Sequence, residues 1–242
     1  MELRKEKFEW SSGRYGEDTF DYEIEMATTN DTDQTIELVK TSCLMISQDG
    51  ATIGGEFNCE EDIYMDPGEI AKFNVNSGYN IFQSAVGSDA GSVEAHINTT
   101  FFRREFFILG ELEVPSEDGE VSKLLENKSV AGGDLQILGA TISRESSEDA
   151  DRTINACVGL RNLGADAQQK VMVKLILIDR AGAQIDYGEY EEMIPPLSSA
   201  VISPSVYTKA GRLKGASVKI TVTLFQPVAM SSVTINNPNK QT

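Results

Sequence analysis

A single histidine, His96, is the side chain of this sequence best suited to acid–base chemistry near neutral pH. It lies in the alternating segment SVEAHINTT, between Ala95 and Ile97, and this setting indicates a place on the surface of a β-strand. A Ser-His-Asp system would have to use His96, yet the chain contains no G-x-S-x-G motif to present a serine. We therefore expect no serine nucleophile.

The three cysteines, Cys43, Cys59 and Cys157, are no better suited to catalysis. Cys43 and Cys157 lie in apolar, strand-like segments, where a thiol is buried and unreactive. The odd number of cysteines and the lack of a C-x-x-C motif argue against a disulfide framework and against a zinc site. We expect reduced, buried thiols.

A hairpin predicted around the Asp49-Gly50 turn gives the register of two of these cysteines. The turn places Cys43 opposite Glu56. The same register places Cys59 opposite Lys40. The two thiols would then lie about three residues, or roughly 10 Å, out of register, which exceeds the separation that a disulfide tolerates.

Glycine-rich and paired-carboxylate motifs give no clear enzyme signature. The segment GATIGGE (50–56) has the wrong spacing for a phosphate-binding or dinucleotide-binding loop. Paired carboxylates could serve a hydrolase, but a chain with 38 acidic residues contains such pairs from composition alone. We predict that the protein is not an enzyme, and a hydrolase that uses acidic residues is the less favoured alternative.

Calcium binding is the main alternative to a protein without cofactors. Calcium takes six to eight oxygen ligands from carboxylates and carbonyls, often in loops. No EF-hand loop occurs in the sequence. We predict no cofactor, and we keep a calcium- or small-ligand-binding β-sandwich module as the alternative hypothesis. Its candidate metal ligands in the first half of the chain are Glu17, Asp18, Asp21, Asp31 and Asp33.

The segment FFRREFF indicates protein recognition, because aromatic residues and arginine are enriched at protein interfaces. The alternative is that its phenylalanines fill the first core and an interdomain contact, while its arginines lie at a turn. Both interpretations stay open from the sequence. The candidate interaction residues are Phe101, Phe102, Arg103, Arg104, Phe106 and Phe107.

The charge balance restricts the partners. With 21 basic and 38 acidic residues, the formal net charge of −17 opposes a phosphate backbone, so we expect no nucleic acid partner. No window approaches 18 consecutive apolar residues, and we expect no direct membrane insertion. The N-terminal segment lacks the apolar region of a secretory signal. A cytoplasmic protein is expected if Met1 is the native start, and an extracytoplasmic or cell-surface protein if a signal has been removed.

An internal repeat governs the predicted fold. At an offset of 132 residues, Asn30 aligns with Asn162 and Val39 with Val171, and the alternation of apolar residues is kept. Both halves read as short alternating strands separated by turns, among them strands at 91–102 and 216–226. We predict an all-β protein of two tandem immunoglobulin-like β-sandwich domains that arose by internal duplication. Convergence on a common topology is the alternative.

The predicted domains are a first β-sandwich at residues 1–115, a linker at 116–133, a second β-sandwich at 134–229 and a polar tail at 230–242. The linker allows one short helix, because Ser116 or Asp118 can cap it. Val121, Leu124 and Leu125 would share a face of that helix.

The segment LILID (175–179), followed by RAG, is similar to the motif of FxLYD domains, which are small bacterial immunoglobulin-like sandwiches. Leu177 and Asp179 match the motif directly. Leu175 stands in place of its Phe, and Ile178 in place of its Tyr. The resemblance covers about 70 residues of the second half and only weakly the first, where Ser47 replaces the Asp.

The resemblance implies a fold and an interaction module, because its motif residues mark turns and core positions. We therefore expect a non-catalytic protein-interaction or assembly scaffold whose partner is another protein or a second copy of the chain. Recognition would use added-strand pairing or loop contacts. The oligomeric state stays open.

Overall fold

The computed structural model describes residues 1–12, 19–46, 50–76, 81–82, 94–129, 134–146 and 151–236. Within these ranges it describes the side chains of all residues except 10–12, 19–21, 53–55, 81–82 and 125–129. The described chain consists of β-strands, turns and one 3₁₀ turn at Ala210–Arg212, and these ranges contain no α-helix. The prediction of an all-β protein is confirmed.

Fifteen strands are assigned over the described ranges. They are β1 (Leu3–Ser12), β2 (Thr19–Thr29), β3 (Ile36–Ile46), β4 (Thr52–Met65), β5 (Ile70–Asn76), β6 (Ile81–Phe82), β7 (Glu94–Glu113), β8 (Val121–Ser129), β9 (Leu135–Ser146), β10 (Asp151–Asn162), β11 (Gln169–Ile178), β12 (Gln184–Ile194), β13 (Ser199–Ile202), β14 (Ser205–Lys209) and β15 (Ser217–Asn236).

The chain divides into two compact units. Unit 1 contains Met1–Arg103 and Pro227–Thr242, and unit 2 contains Arg104–Gln226. The chain therefore passes from one unit to the other twice, once inside β7 and once inside β15. This division differs from the boundaries predicted from the sequence, which assigned 104–115 to the first sandwich and 227–229 to the second.

Unit 1 has a sandwich-like pair of antiparallel sheets. One sheet has the order β1-β2-β5, with β6 also paired to β2, and the other has the order β4-β3-β7, with β15 beside β7. Alternating apolar residues of both sheets meet in one core, where Phe73 packs edge-on against Phe101 at 6.2 Å between ring centroids. The largest fully buried side chains of this core are Tyr22, Ile24, Met26, Ile36, Met45, Met65, Phe73, Ile97 and Phe101.

Unit 2 repeats this arrangement. One sheet has the order β13-β10-β9-β8, with β14 also paired to β10, and the other has the order β12-β11-β15-β7. The core side chains of β11 are Val171, Val173, Leu175 and Leu177, all fully buried. The intervening residues of β11 are only partly exposed, because this strand lies between β12 and β15. The apolar character of both its faces predicted this central position.

The segment expected to allow a short helix instead forms a turn and strand β8, which pairs antiparallel with β9. The carboxylate of Asp118 forms ion pairs with Arg144 (Nε to Oδ1, 2.8 Å) and with Arg152 (Nε to Oδ2, 2.9 Å), and these contacts anchor the turn. A helix this short is marginal in water, whereas a strand at this position gains backbone hydrogen bonds from β9. Pairing with a neighbouring strand outweighs the local capping signal.

The predicted polar tail is also corrected. Residues 230–236 form the end of β15, and 237–242 lie outside the described residues. Val233 packs against the core of unit 1 and Ile235 is buried within it, while the alternate positions Ser232 and Thr234 are exposed. The period of two in SSVTIN is that of a half-buried strand.

The β3–β4 hairpin shows a register one residue away from the prediction. Cys43 lies opposite Phe57, and Cys59 opposite Thr41. The pairing is irregular between Leu44 and Met45, because Leu44 lies opposite Glu56 and Met45 opposite Ile53, so that β4 has two extra residues at this point and the register shifts. All three cysteines are free thiols.

Candidate functional site

His96 lies on β7, partly exposed on the sheet surface, as its alternating neighbours indicate. Its Nε2 is 3.4 Å from Glu94 Oε2, and its Nδ1 is 3.4 Å from Thr234 Oγ1 on β15. Beside it, Ser232 Oγ donates a 2.7 Å hydrogen bond to Asn98 Oδ1. His96, Asn98, Ser232 and Thr234 line a shallow depression of about 140 Å³. Its polar groups bind one another and are open to solvent.

The cysteines occupy three different environments. Cys43 is fully buried, and this burial raises the pKa of its thiol to about 11. Cys59 is partly exposed. Cys157 is exposed, contrary to the expectation of a buried thiol, because its neighbours Ala156 and Val158 take the inward positions of β10. Parity along the strand therefore places the Cys157 thiol on the outer face.

The predicted calcium ligands do not form a group within the described residues. Asp31 Oδ2 forms an ion pair with the amino group of Met1 at 3.0 Å, and Asp33 is exposed. Glu17, Asp18 and the side chain of Asp21 lie outside the described residues. In the part of the chain that the structure describes, no set of three or more His, Cys, Asp or Glu side chains is arranged to hold a metal ion.

The FFRREFF residues point in several directions along β7. Phe101 is buried in the core of unit 1, and Phe102 is also buried. In unit 2, Phe107 packs against the core, and the guanidinium carbon of Arg104 lies 5.6 Å from the ring centroid of Phe225. Arg103 is partly exposed, and Phe106 is largely exposed.

A surface that the sequence-based reasoning did not single out is the edge strand β12 of unit 2. It is the last strand of its sheet, paired on one side with β11. The signal was present in DYGEYEEM, where polar and aromatic residues occupy both parities, as in a strand open on both faces. Its exposed side chains are Asp186, Tyr187, Glu189, Tyr190, Glu191, Glu192 and Met193.

Contacts between β11 and β12 fix the position of part of this edge strand. Lys174 Nζ lies 3.2 Å from Glu189 Oε2 and 3.8 Å from the ring centroid of Tyr187. The amide of Tyr187 donates a 2.8 Å hydrogen bond to Asp186 Oδ1. The two Lys174 contacts join β11 to β12, and the Asp186–Tyr187 bond lies within β12.

Lys170 adds a second ion pair to the same edge. Its ammonium group is almost completely buried and lies 2.8 Å from Glu191 Oε2. It is also 4.8 Å from the ring centroid of Phe225, a distance at which a cation–π contact is favourable. Glu191 is thus held by a buried charge, while Glu192 projects from the opposite face of the strand.

The edge strand β4 of unit 1 has the same character. It is the last strand of its sheet, and it carries exposed Glu60, Glu61, Asp62 and Tyr64. Glu61 Oε2 accepts a 3.2 Å hydrogen bond from the amide of Asn74. Each unit therefore ends in an acidic edge strand that also exposes tyrosine.

Comparisons with known proteins assign no family. No protein-family model matches the sequence, and no curated protein matches it. Among solved structures, similarity is found to a glycosyl hydrolase family 2 member from Bacteroides cellulosilyticus and to a putative β-galactosidase from Bacteroides fragilis. Each has 10% identity and a TM-score of 0.30. The matches cover 90% and 93% of this chain, and 28% and 34% of those enzymes.

A match to the structure of infectious bursal disease virus Gx strain has 10% identity and a TM-score of 0.25, and covers 98% of this chain and 74% of that one. The chain thus spans about a third or less of the two bacterial enzymes that it matches. At these TM-scores, none of the similarities carries a functional assignment. Among the described residues, no helix has the length and apolar character that a membrane span requires.

Proposed function

We propose that the protein is a non-catalytic interaction scaffold, built from immunoglobulin-like modules, that binds another protein chain through its open edge strands. The observation that carries this proposal is the exposure of β12 on both of its faces at the end of its sheet. Strand addition at such an edge uses backbone hydrogen bonds for affinity and side-chain contacts for specificity. The resemblance to FxLYD domains supports the same interpretation.

The side chains of β12 favour a particular kind of added strand. Asp186 and Glu192 give the edge negative charge, which disfavours pairing with another acidic strand. Tyr187 and Tyr190 offer partly exposed aromatic rings, which are frequent at recognition surfaces. An extended segment that carries lysine or arginine beside apolar residues is complementary to this combination.

The test is affinity capture with the full chain as bait and mass spectrometry of the retained proteins. The edge variant is Tyr190→Ala/Glu192→Lys, which removes an exposed ring and reverses a charge on β12. Its matched control is Met230→Ala/Asp166→Lys, which likewise removes an exposed apolar side chain and reverses a charge at exposed positions outside that strand. We expect a protein other than the chain itself to be retained by the wild type and the control, and lost with the edge variant. Equal retention by both variants would refute recognition through β12.

A further inference from the structure

We propose that the outer face of the β8–β9–β10 sheet in unit 2 binds a second copy of this chain, sheet against sheet. This surface is called the neutral face here, and it is distinct from the acidic edge β12. The inference rests on the proposed scaffold function, since it names self-association as one of the contacts of that scaffold. The residues at its centre are Leu138, Gly139, Cys157, Gly159 and Val201.

Exposed apolar side chains lie across the neutral face. Val201 of β13 is 70% exposed and lies opposite Gly159 of β10. Tyr207 of β14 is 69% exposed and lies opposite Thr153 of the same strand. Leu138 and Val121, on β9 and β8, are also exposed. Burial of such side chains against an apolar partner is favourable by roughly 25 cal/mol per Å² of area removed from water.

The middle of the face allows close approach of a partner sheet. Val201, Gly159 and Gly139 lie side by side across β13, β10 and β9. The two glycines leave this row without side chains between Val201 and β8. A Cβ atom at Gly159 would lie 3.4 Å from Leu138 Cβ, which places Leu138 beside the row on the same face. Two sheets pack face to face at about 10 Å. At this spacing, Leu138 and Val201 of one copy can fill the space above the glycine row of the other copy.

The charges of the face favour a second copy as the partner. The net charge of −17 makes contact between two copies unfavourable at acidic surfaces. On the neutral face, exposed Glu145 pairs with Thr153 near one end of β10, and exposed Arg161 lies near the other end. Cys157 lies midway between Thr153 and Arg161 along the strand. Consider a two-fold axis that passes beside Cys157, parallel to the sheet and perpendicular to its strands. This axis brings the Arg161 end of one copy over the Glu145 end of the other.

This two-fold arrangement is self-complementary in shape and charge, as an isologous interface requires. Lys123 lies in the same row as Cys157, opposite Thr141, but on the border strand β8. A lysine at a border can keep its ammonium group in water while its stem covers apolar surface. The Cys157 thiols of the two copies would face each other across the axis.

The first test measures mass by sedimentation equilibrium from about 1 to about 100 µM, a range that brackets the dissociation constants of weak protein–protein contacts. We expect the mass of the wild type to rise from that of one chain to that of two. Val201→Asp places a charge in the neutral face and should weaken association at least roughly tenfold. Ile70→Asp is the matched control, since Ile70 is also a largely exposed β-branched residue, on β5 of unit 1. A wild type that stays monomeric, or equal weakening by both variants, would overturn the proposal.

The second test uses Cys157 as a reporter in a Cys59→Ser background. A short bismaleimide, which adds one thiol across each of its double bonds, should join two chains through Cys157. Cys157→Ser should abolish the cross-link. A dimer that forms without this cross-link would contradict the two-fold axis. If association fails but the capture of another protein still depends on β12, the proposed function stands and this inference falls. If both fail, the scaffold function falls with it.

Discussion

Asn30 and Asn162 occupy equivalent positions in the two units and make the same hydrogen bonds. Both are fully buried at a strand end, Asn30 directly after β2 and Asn162 as the last residue of β10, and each carboxamide donates to two carbonyl groups. The backbone amide of each also donates at 2.9 Å, Asn30 to Glu69 and Asn162 to Ser198. The side-chain bonds run from Asn30 Nδ2 to Gln34 O (2.8 Å) and Met65 O (3.0 Å), and from Asn162 Nδ2 to Ala167 O (2.9 Å) and Ile194 O (3.1 Å).

Replacing either asparagine should destabilise its unit. Asn162→Ala leaves buried carbonyl groups without a donor, and the expected loss is about 1 to 3 kcal/mol in the free energy of unfolding. Urea unfolding of the full chain measures this loss. Asn58→Ala, at an exposed position, is the control and should change stability by less than about 0.5 kcal/mol. Equal effects of the two variants would contradict the structural role of the buried carboxamide.

Gly188→Ala should destabilise unit 2. An added Cβ at Gly188 would overlap the carbonyl oxygen of Ser205 and lie 2.8 Å from its carbonyl carbon. Since both obstacles are backbone atoms, β12 or β14 must move, with an expected loss of about 1 to 3 kcal/mol. Gly211→Ala is the matched control, because a Cβ there meets nothing within 4 Å. Thermal unfolding compares the two, and a neutral Gly188→Ala would show that the contact yields easily.

Asp179, the acidic residue of the motif that resembles FxLYD domains, has a structural role in the turn after β11. Its Oδ1 accepts hydrogen bonds from the amides of Ala181 at 2.8 Å and Ala183 at 2.9 Å. Asp179→Ala removes this acceptor and should lower the free energy of unfolding by about 1 kcal/mol. Asp179→Asn keeps a carbonyl oxygen and should restore most of the stability in the same denaturant titration. If the Asn variant is as unstable as the Ala variant, the negative charge matters more than the hydrogen bonds.

Cys43 should make unit 1 less stable at alkaline pH. Burial raises the pKa of its thiol to about 11, so the folded chain keeps this proton while the unfolded chain loses it above about 8.5. The free energy of unfolding then falls between about pH 8.5 and about pH 11, by up to about 1.4 kcal/mol per pH unit. Burial also raises the pKa of Tyr22, which acts in the same direction at higher pH. Cys43→Ala should flatten the fall below about pH 10, where tyrosine begins to ionise, and Cys157→Ala should leave it unchanged.

Removal of the C-terminal strand should unfold unit 1. A chain ending at Gln226 lacks Val228, Ala229, Val233 and Ile235, which pack in or against that core. The amide protons of Ile24 and Met26, whose side chains lie in the core of unit 1, report on its fold by hydrogen exchange. We expect these amides to lose protection, whereas a chain ending at Asn236 should keep them protected. Protected amides in the shorter chain would contradict the assignment of β15 to unit 1.

Alternation in the sequence was sufficient to predict most strands and their buried faces. Tyr22, Ile24 and Met26 align with Ile154, Ala156 and Val158, and all six are buried. The same parity shows that Cys157 points outward, although apolar neighbours suggested burial. The geometric equivalence of Asn30 and Asn162 agrees with the predicted repeat, while common ancestry of the two units stays a prediction.

The long strands β7 and β15 show that alternation does not predict strand length or the order of strands in a sheet. The sequence predicted a strand at 91–102 followed by a further β pattern over 101–115, and a strand that ends at 226, whereas β7 is one strand to Glu113 and β15 continues to Asn236. The alternation in FFRREFFILGELE predicts which face of the strand is buried. It does not predict which of the two cores that face contacts. The edge position of β12 depends in the same way on long-range pairing. The candidate interaction surfaces were therefore recognisable only after the sheet order was known.

The passage of the chain through β7 and back through β15 imposes an order on its synthesis. Unit 2 is continuous in sequence, so all of its residues are synthesised before the part of β15 that belongs to unit 1. At ordinary translation rates the N-terminal strands wait on the order of ten seconds for that strand. During this interval the apolar residues on β3 and β7 lack their final neighbour, and a nascent chain at this stage is a natural substrate for chaperones.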